Sequence, residues 1–490
     1  MSKEISMASS LPKILEYFNK INAIPRCSTK EARLAAWLND WALERRLAVR
    51  RDSAGNLVIY VPASKGYESC PAVILQGHMD MVCEKTPASL HNFDVDPIIS
   101  QRDGHWLTAE GTTLGADNGI AIAYALALAE KGHLSHPPLE LLFTVDEESG
   151  LNGAMTLDTR MISGRTFINL DSEKEGVFTI GCAGGKDFEL TLNFEQFSLP
   201  DHWKVMRLNV GGLMGGHSGI DIHHPRGNAN KIMARILSVI RQNNTFRLID
   251  LRGGSRHNAI PRDAESVIAL ENKDFTAISH DLESIAAAIR EEYQEHEPNI
   301  RISGLPVENT GKNNERKALS RADTDRVIDM VLALPHGVAG LSSSLAGTVE
   351  TSSNLATVRY ADGKLAILNS QRSAMMPKLD EISRRVLAVS RLVGADHRTT
   401  ACYPAWAPDP ESLLLERSIK VYQDLFHKSP VVQVIHAGLE CAIIGAKIDN
   451  MDMISLGPTI ENPHSPSERL YLPSVENIWT FLVALLEDMK

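Results

Sequence analysis

VILQGHMDMV, residues 73–82, reads as a β-strand whose far end carries chemistry. Side chains two apart on a strand project to the same face, so His78 and Asp80 are expected to point together. A metal-binding imidazole needs its second ring nitrogen held, and a neighbouring carboxylate does this while raising the ring's basicity. His78 is therefore a candidate ligand and Asp80 its orienting partner. The same design recurs outward from this strand. LELLFTVDEESG (139–150) is an apolar run ending in Asp146, Glu147 and Glu148, and RTFINLDSE (165–173) delivers Asp171. Between them, EGTTLGADNGIAIAYALALAEKG (110–132) passes from a glycine turn bearing Asp117 into an apolar helical run bounded by Gly132.

Each segment has a plainer reading when taken alone. A His-x-Asp tripeptide occurs by chance, Asp117 or Asn118 can simply cap the helix that starts near Ile120, and consecutive acids can form a solvated turn. Recurrence decides between these readings. Three apolar strands each deliver an imidazole or a carboxylate at the carboxyl end, where open α/β sheets place their sites. Asp117, Glu148 and Asp171 would offset three of the four positive charges on two divalent ions. A mixed imidazole and carboxylate set suits zinc, cobalt or manganese better than calcium or magnesium, and zinc is the first choice.

HMDMVCEK (78–85), LGADNG (114–119), VDEESG (145–150), GGHSG (215–219), RHNAIP (256–261) and NPHSPSE (462–468) together resemble the M20 metallopeptidases, and the likeness spans nearly the whole chain. That family includes carboxypeptidase G2, aminoacylase-1, peptidase T and the carnosinases. The likeness is greatest to its dipeptidases that act on substrates ending in histidine. It implies that His78 and Asp171 bind one metal, that Glu148 and His464 bind the other, and that Asp117 bridges both. It further implies Glu147 as general base with Asp80 in support. Hydrolysis of unblocked dipeptides by a water activated between two metals follows from those roles. The alternatives are a tripeptidase, an N-acyl amino acid hydrolase, or a non-catalytic binding protein that keeps the fold.

At 490 residues the chain exceeds the size at which single cores stop growing, so more than one domain is expected. A formal net charge of -11 offers no basic footprint for nucleic acid. The stretch MSKEISMASSLPKILEYFNKI lacks the long apolar core of a signal peptide, and no window offers about twenty uninterrupted apolar residues, so a cytoplasmic protein with no membrane association is expected. Cys27, Cys70, Cys83, Cys182, Cys402 and Cys441 lack C-x-x-C spacing and read as reduced packing residues. Trp37, Trp41 and Trp479 read as core or helix-packing residues.

From about residue 12 to 180, helical patterns alternate with short apolar strands, which predicts an α/β domain with a mostly parallel mixed sheet flanked by helices. From about 184 the pattern changes, and metal-type segments resume only at His464. An insertion explains the interruption: a catalytic domain over 1–183 and 399–490, and an inserted domain over 184–398. The resemblance implies that the insert is a lid of two related α/β halves and that the chain forms a homodimer; in many relatives the lid histidine comes from the partner subunit. In GGLMGGHSG (211–219), glycines permit close backbone approach, and His217 offers a donor suited to an oxyanion. The resemblance makes His217 the histidine that contacts the scissile carbonyl, and Asn258 and Arg372 the pair that grips the substrate's carboxylate. Glu440, in HAGLECAIIGAK (436–447), is expected to grip the substrate's amine, although a helix N-terminal acid explains it equally well.

Overall fold

The computed structural model describes residues 10–130, 134–271, 274–307, 316–343 and 347–490, so Gly132 lies outside the described residues. The chain divides into two compact units, one of Met1–Cys182, Trp406–Val434 and Leu439–Lys490, the other of Ala183–Ala405 and Ile435–Gly438. The boundary expected near residue 398 falls inside the strand Asp396–Tyr403. That strand pairs along its length with Gly184–Asn193, and these ladder bonds carry the second unit on to Ala405.

The first unit is built on an eight-stranded mixed sheet, ordered Ala48–Arg51, Leu57–Val61, Leu139–Thr144, Val73–His78, Thr166–Asn169, Asp452–Ser455, Val177–Cys182 and Val431–Ile435. Its centre is parallel. Val73–His78 runs alongside both Leu139–Thr144 and Thr166–Asn169, and Asp452–Ser455 runs parallel to the latter. Antiparallel pairs flank this centre. The central strands are buried throughout and mostly apolar because both faces are covered, and their polar members Gln76, Glu140 and Thr144 are hydrogen-bonded.

The helix Ala116–Glu130 is buried from Ala116 to Leu128, which explains why its sequence is apolar all round. It lies against the strand Val73–His78 and the helix Leu11–Asn22. Gly77 makes the close approach feasible: a β-carbon there would meet Asn118 Oδ1 at 2.4 Å and the Ala121 β-carbon at 2.6 Å. Each fully buried leucine or isoleucine of this helix contributes about 1.5–3 kcal/mol relative to exposure. Trp41 and Trp479 are buried in the same core, with Trp37 packed at its margin.

The expectation that all six cysteines are reduced is corrected. Cys27 and Cys83 form a disulfide, while Cys70, Cys182, Cys402 and Cys441 are free. Spacing could not reveal the pair, because 56 residues separate them; an isolated parallel bridge between Cys27 and Met81 draws the two segments together.

The second unit repeats one pattern twice: strand, helix, strand, strand, helix, strand. The first copy is Lys204–Gly211, Ala229–Asn243, Phe246–Gly253, Ala264–Leu270, Asp274–Tyr293 and Arg301–Pro306. The second is Gly184–Asn193, Arg321–Ala333, Val349–Ala361, Lys364–Ser373, Met376–Val393 and Asp396–Tyr403. The strand orders mirror each other about the pairing of Leu251–Gly253 with Val358–Tyr360, so the two copies form one continuous sheet around one core.

Candidate metal centre

Three parallel strands end on the same edge of the first sheet, and the acidic segments leave from there. His78 closes its strand, Glu147 and Glu148 follow Thr144, and Asp171 follows Asn169. The strand expected to run through residue 82 stops at His78, yet Asp80 still reaches the ring, with its Oδ1 3.3 Å from His78 Nδ1. Asp80 also accepts the backbone N–H groups of Glu147 (3.0 Å) and Glu148 (3.1 Å) and the hydroxyl of Ser28 (2.8 Å). Asp146 makes that turn with φ at 52°, a left-handed conformation that aspartate tolerates better than most side chains.

Among the described residues, four sets of donor atoms converge closely enough to hold an ion: His78, Glu147 and Glu148 form one, Glu31, Asp80 and Asp146 another, and the remaining two share Asp117. His78, Asp117 and Asp171 form one, and Asp117, Glu148 and His464 the other, with the atoms of each group within 4.8 Å of one another. Asp117 Oδ1 lies 3.1 Å from His78 Nε2, and its Oδ2 lies 3.0 Å from His464 Nε2. One carboxylate thus faces two imidazoles with different oxygens.

These residues fit a pair of cations. Glu148 Oε1 is 2.9 Å from His464 Nε2 and Asp171 Oδ1 is 3.2 Å from His78 Nε2, yet both oxygens are buried without a hydrogen-bond partner. Atoms this close but misaligned are aimed at a common point rather than at each other. Without ions the histidines carry the balancing charge. Burial works to lower His464, but Asp117 and Glu148 outweigh it and raise the imidazole to about 11. His78 is likewise held well above its usual value by Asp171, Asp117 and Asp80 against its burial. Burial, with the Asp171 and Glu148 carboxylates nearby, pushes Glu147 well above the usual carboxylate range despite the pull of His78.

In the second unit, His217 pairs in a short ladder with Ala259, next to Asn258. Its Nδ1 accepts the backbone N–H groups of Gly219 (3.2 Å) and Ile220 (3.1 Å), which places the ring proton on Nε2. Burial and the nearby Arg372 guanidinium lower His217 to about 4. Arg372 donates from Nη1 to the Tyr403 hydroxyl at 2.9 Å, while its buried Nε has no hydrogen-bond partner.

The model described as peptidase family M20/M25/M40 matches residues 74–488. The chain belongs to this family. It is 38% identical over 486 residues, 99% of each chain, to the cytosol non-specific dipeptidase of Escherichia coli. The crystal structure of an aminoacylhistidine dipeptidase from Vibrio alginolyticus superposes with a TM-score of 0.88 at 37% identity, over 100% of this chain and 99% of that one. Aminopeptidase PepT from Bacillus cereus shares the fold, with a TM-score of 0.57 at 15% identity over 98% of each chain.

Glu440 is fully buried as the first residue of the helix Glu440–Lys447, and its Oε2 accepts from Gln76 Nε2 (2.6 Å) and Thr144 Oγ1 (2.7 Å). This oxygen braces the strands that precede Asp80 and Glu147, while the buried Oε1 has no hydrogen-bond partner. Sequence reasoning passed over Arg26, which is buried and donates to the carbonyls of Met79 (3.1 Å), Asp80 (2.8 Å) and Gly115 (2.6 Å). A single arginine in a polar segment gives no periodic signal by which to find it. Among the described residues no helix is long and apolar enough to cross a membrane.

Proposed function

We propose that the chain is a cytosolic, metal-dependent dipeptidase that hydrolyses unblocked dipeptides and prefers histidine at the C-terminal position. The observation that carries this reading is the placement of Asp117 between two donor groups, with Glu147 beside them. Similarity to the Escherichia coli and Vibrio alginolyticus dipeptidases, at 38% and 37% identity over essentially full length, supports the substrate class.

His78 and Asp171 would hold one divalent ion, Glu148 and His464 the second, and Asp117 both; zinc is proposed, with cobalt or manganese as alternatives. When bound, the ions supply positive charge that acidifies a water and polarises the scissile carbonyl. Glu147 takes the proton from the attacking water and returns it to the departing amine, and its raised affinity for protons suits both steps. Asp80 keeps the His78 ring and the Glu147 backbone in register. His217 donates from Nε2 to the developing oxyanion, and Asn258 and Arg372 grip the substrate's carboxylate, Arg372 through its free Nε edge. The second unit serves as a lid to the catalytic unit, and a homodimer without nucleic-acid partners completes the proposal.

Kinetics with alanyl-histidine, carnosine, a tripeptide and an acetylated amino acid test the substrate, alongside metal analysis of the purified protein. Turnover of the dipeptides with two bound ions supports the proposal; exclusive turnover of the acetylated amino acid or the tripeptide replaces it with the corresponding alternative.

Two side chains of the second unit give further expectations. Arg372→Ala removes a charge-assisted contact worth roughly 1.5–3 kcal/mol, so kcat/KM falls about 10–100-fold, chiefly through KM. The same variant treats a dipeptide amide, which lacks the carboxylate, as the parent protein does. His217→Ala loses an oxyanion donor and about 10²–10³ in kcat. Because His217 protonates only near pH 4, its neutral Nε2–H donor persists above that value. His217→Gln, which retains a donor, therefore keeps the acid limb of the kcat profile in place; an acid limb that moves with this substitution would assign the limb to His217.

A further inference from the structure

Glu468 stands four residues beyond His464, is 2% exposed, and belongs to neither donor group. Its Oε2 accepts the backbone N–H groups of Leu114 (2.7 Å) and Gly115 (2.9 Å), and its Oε1 accepts those of Ala116 (2.8 Å) and Asp117 (3.2 Å). One carboxylate thereby takes four consecutive amides at the turn that delivers Asp117. On the other side of that turn, Arg26 Nη2 donates to the Gly115 carbonyl at 2.6 Å. Gly115 is held at both its N–H and its C=O, and a β-carbon there would lie 2.5 Å from Arg26 Nη2.

An ordinary helix cap would satisfy the same amides with a side chain from the preceding residues. Here the cap arrives from 351 residues further along the chain than Asp117, on the loop that bears His464. The bonds therefore fix the separation of two candidate ligands, the 3.0 Å between His464 Nε2 and Asp117 Oδ2. We propose that Glu468 is a positioning residue for the metal centre, locking the Asp117 turn and the His464 loop together while touching neither ion. The inference rests on the reading of Asp117 and His464 as ligands.

Glu468→Gln is the informative change, because an amide presents one acceptor oxygen and one donor nitrogen to four donors. Two of the four bonds are lost, and the new N–H groups confront the backbone N–H groups that the replaced oxygen accepted. Glu468→Asp keeps two acceptor oxygens on a stem one carbon shorter. The full-length chain, stripped with a chelator, is titrated with zinc against a chromophoric competitor, and thermal unfolding of each metal-free protein is recorded. The parent chain binds two equivalents; Glu468→Gln holds at least one of them about 10–100-fold more weakly, and Glu468→Asp falls between.

Tyr124→Phe, on the helix that follows Asp117, serves as the control for stability alone, since it removes only the bond from the Tyr124 hydroxyl to the Val475 carbonyl of the helix Leu472–Glu487. It lowers the unfolding temperature without changing zinc affinity. Wild-type affinity at both equivalents in Glu468→Gln overturns the proposal, as does equal weakening of zinc by Tyr124→Phe. Should Glu468→Gln fail to fold, Glu468→Asp carries the measurement, and unaltered affinity at both equivalents overturns the proposal there too. A parent chain that binds no zinc pair refutes the ligand reading instead, so the two failures are distinguishable.

Discussion

Glu147→Gln is expected to keep both metal equivalents and to lose roughly 10²–10⁴ in kcat, the usual worth of a positioned general acid–base. Metal retention follows because neither donor group built around Asp117 needs the Glu147 side chain. The backbone N–H of Glu147 still donates to Asp80 after the substitution, so the turn carrying Glu148 is preserved. Glutamine has nearly the volume of glutamate and cannot accept the water's proton, which separates proton transfer from packing. Steady-state kinetics on alanyl-histidine, with elemental analysis of the same preparation, measures both quantities. Near-parental kcat with a full metal complement would remove Glu147 from the proton path.

Asp117→Asn is expected to have the larger effect, because a single replacement reaches both donor groups. The two Asp117 oxygens face different imidazoles, and asparagine converts one oxygen into an N–H donor that repels a cation. Bound metal should fall from two equivalents to one or fewer. With several kcal/mol of transition-state charge stabilisation lost at about 1.4 kcal/mol per decade, kcat/KM falls on the order of 10³-fold or more. The backbone amides of Leu114 to Asp117 remain bound to Glu468, so the fold should persist and circular dichroism should be unchanged. Two retained equivalents in Asp117→Asn would show that this carboxylate does not bridge.

The parts of the site that lie at strand ends were legible because a strand imposes a period and a direction: an apolar run followed by an acid marks both the sheet and its active edge. His78, Glu148 and Asp171 come from such runs, and the structure brings them to one edge. Asp117 lies at a turn, and recurrence elsewhere distinguished it from an ordinary cap. His464 stands about 290 residues from Asp171 with no local pattern of its own, and only resemblance pointed to it. The supporting contacts were not legible. Arg26 and Glu468 bind main-chain groups, and Ser28 the Asp80 carboxylate, all far away in sequence, and such long-range hydrogen bonds leave no trace in periodicity or composition. The same blindness hid the Cys27–Cys83 pairing and the sealed environment of Glu440. The domain edge near 398 was misplaced for a related reason, since ladder pairing with Gly184–Asn193 decides where the insert ends.

The strand Asp452–Ser455 fills the place between Thr166–Asn169 and Val177–Cys182 in the first sheet. The chain through Ser455 must therefore leave the ribosome before that sheet can knit across its middle, and His464 emerges later still. A half-made chain has a vacant slot where a neighbour's strand could intrude, and nothing yet able to cut a peptide. Closure of the sheet therefore waits on this late strand, so the first unit can be completed only after the whole of Ala183–Ala405 has been made.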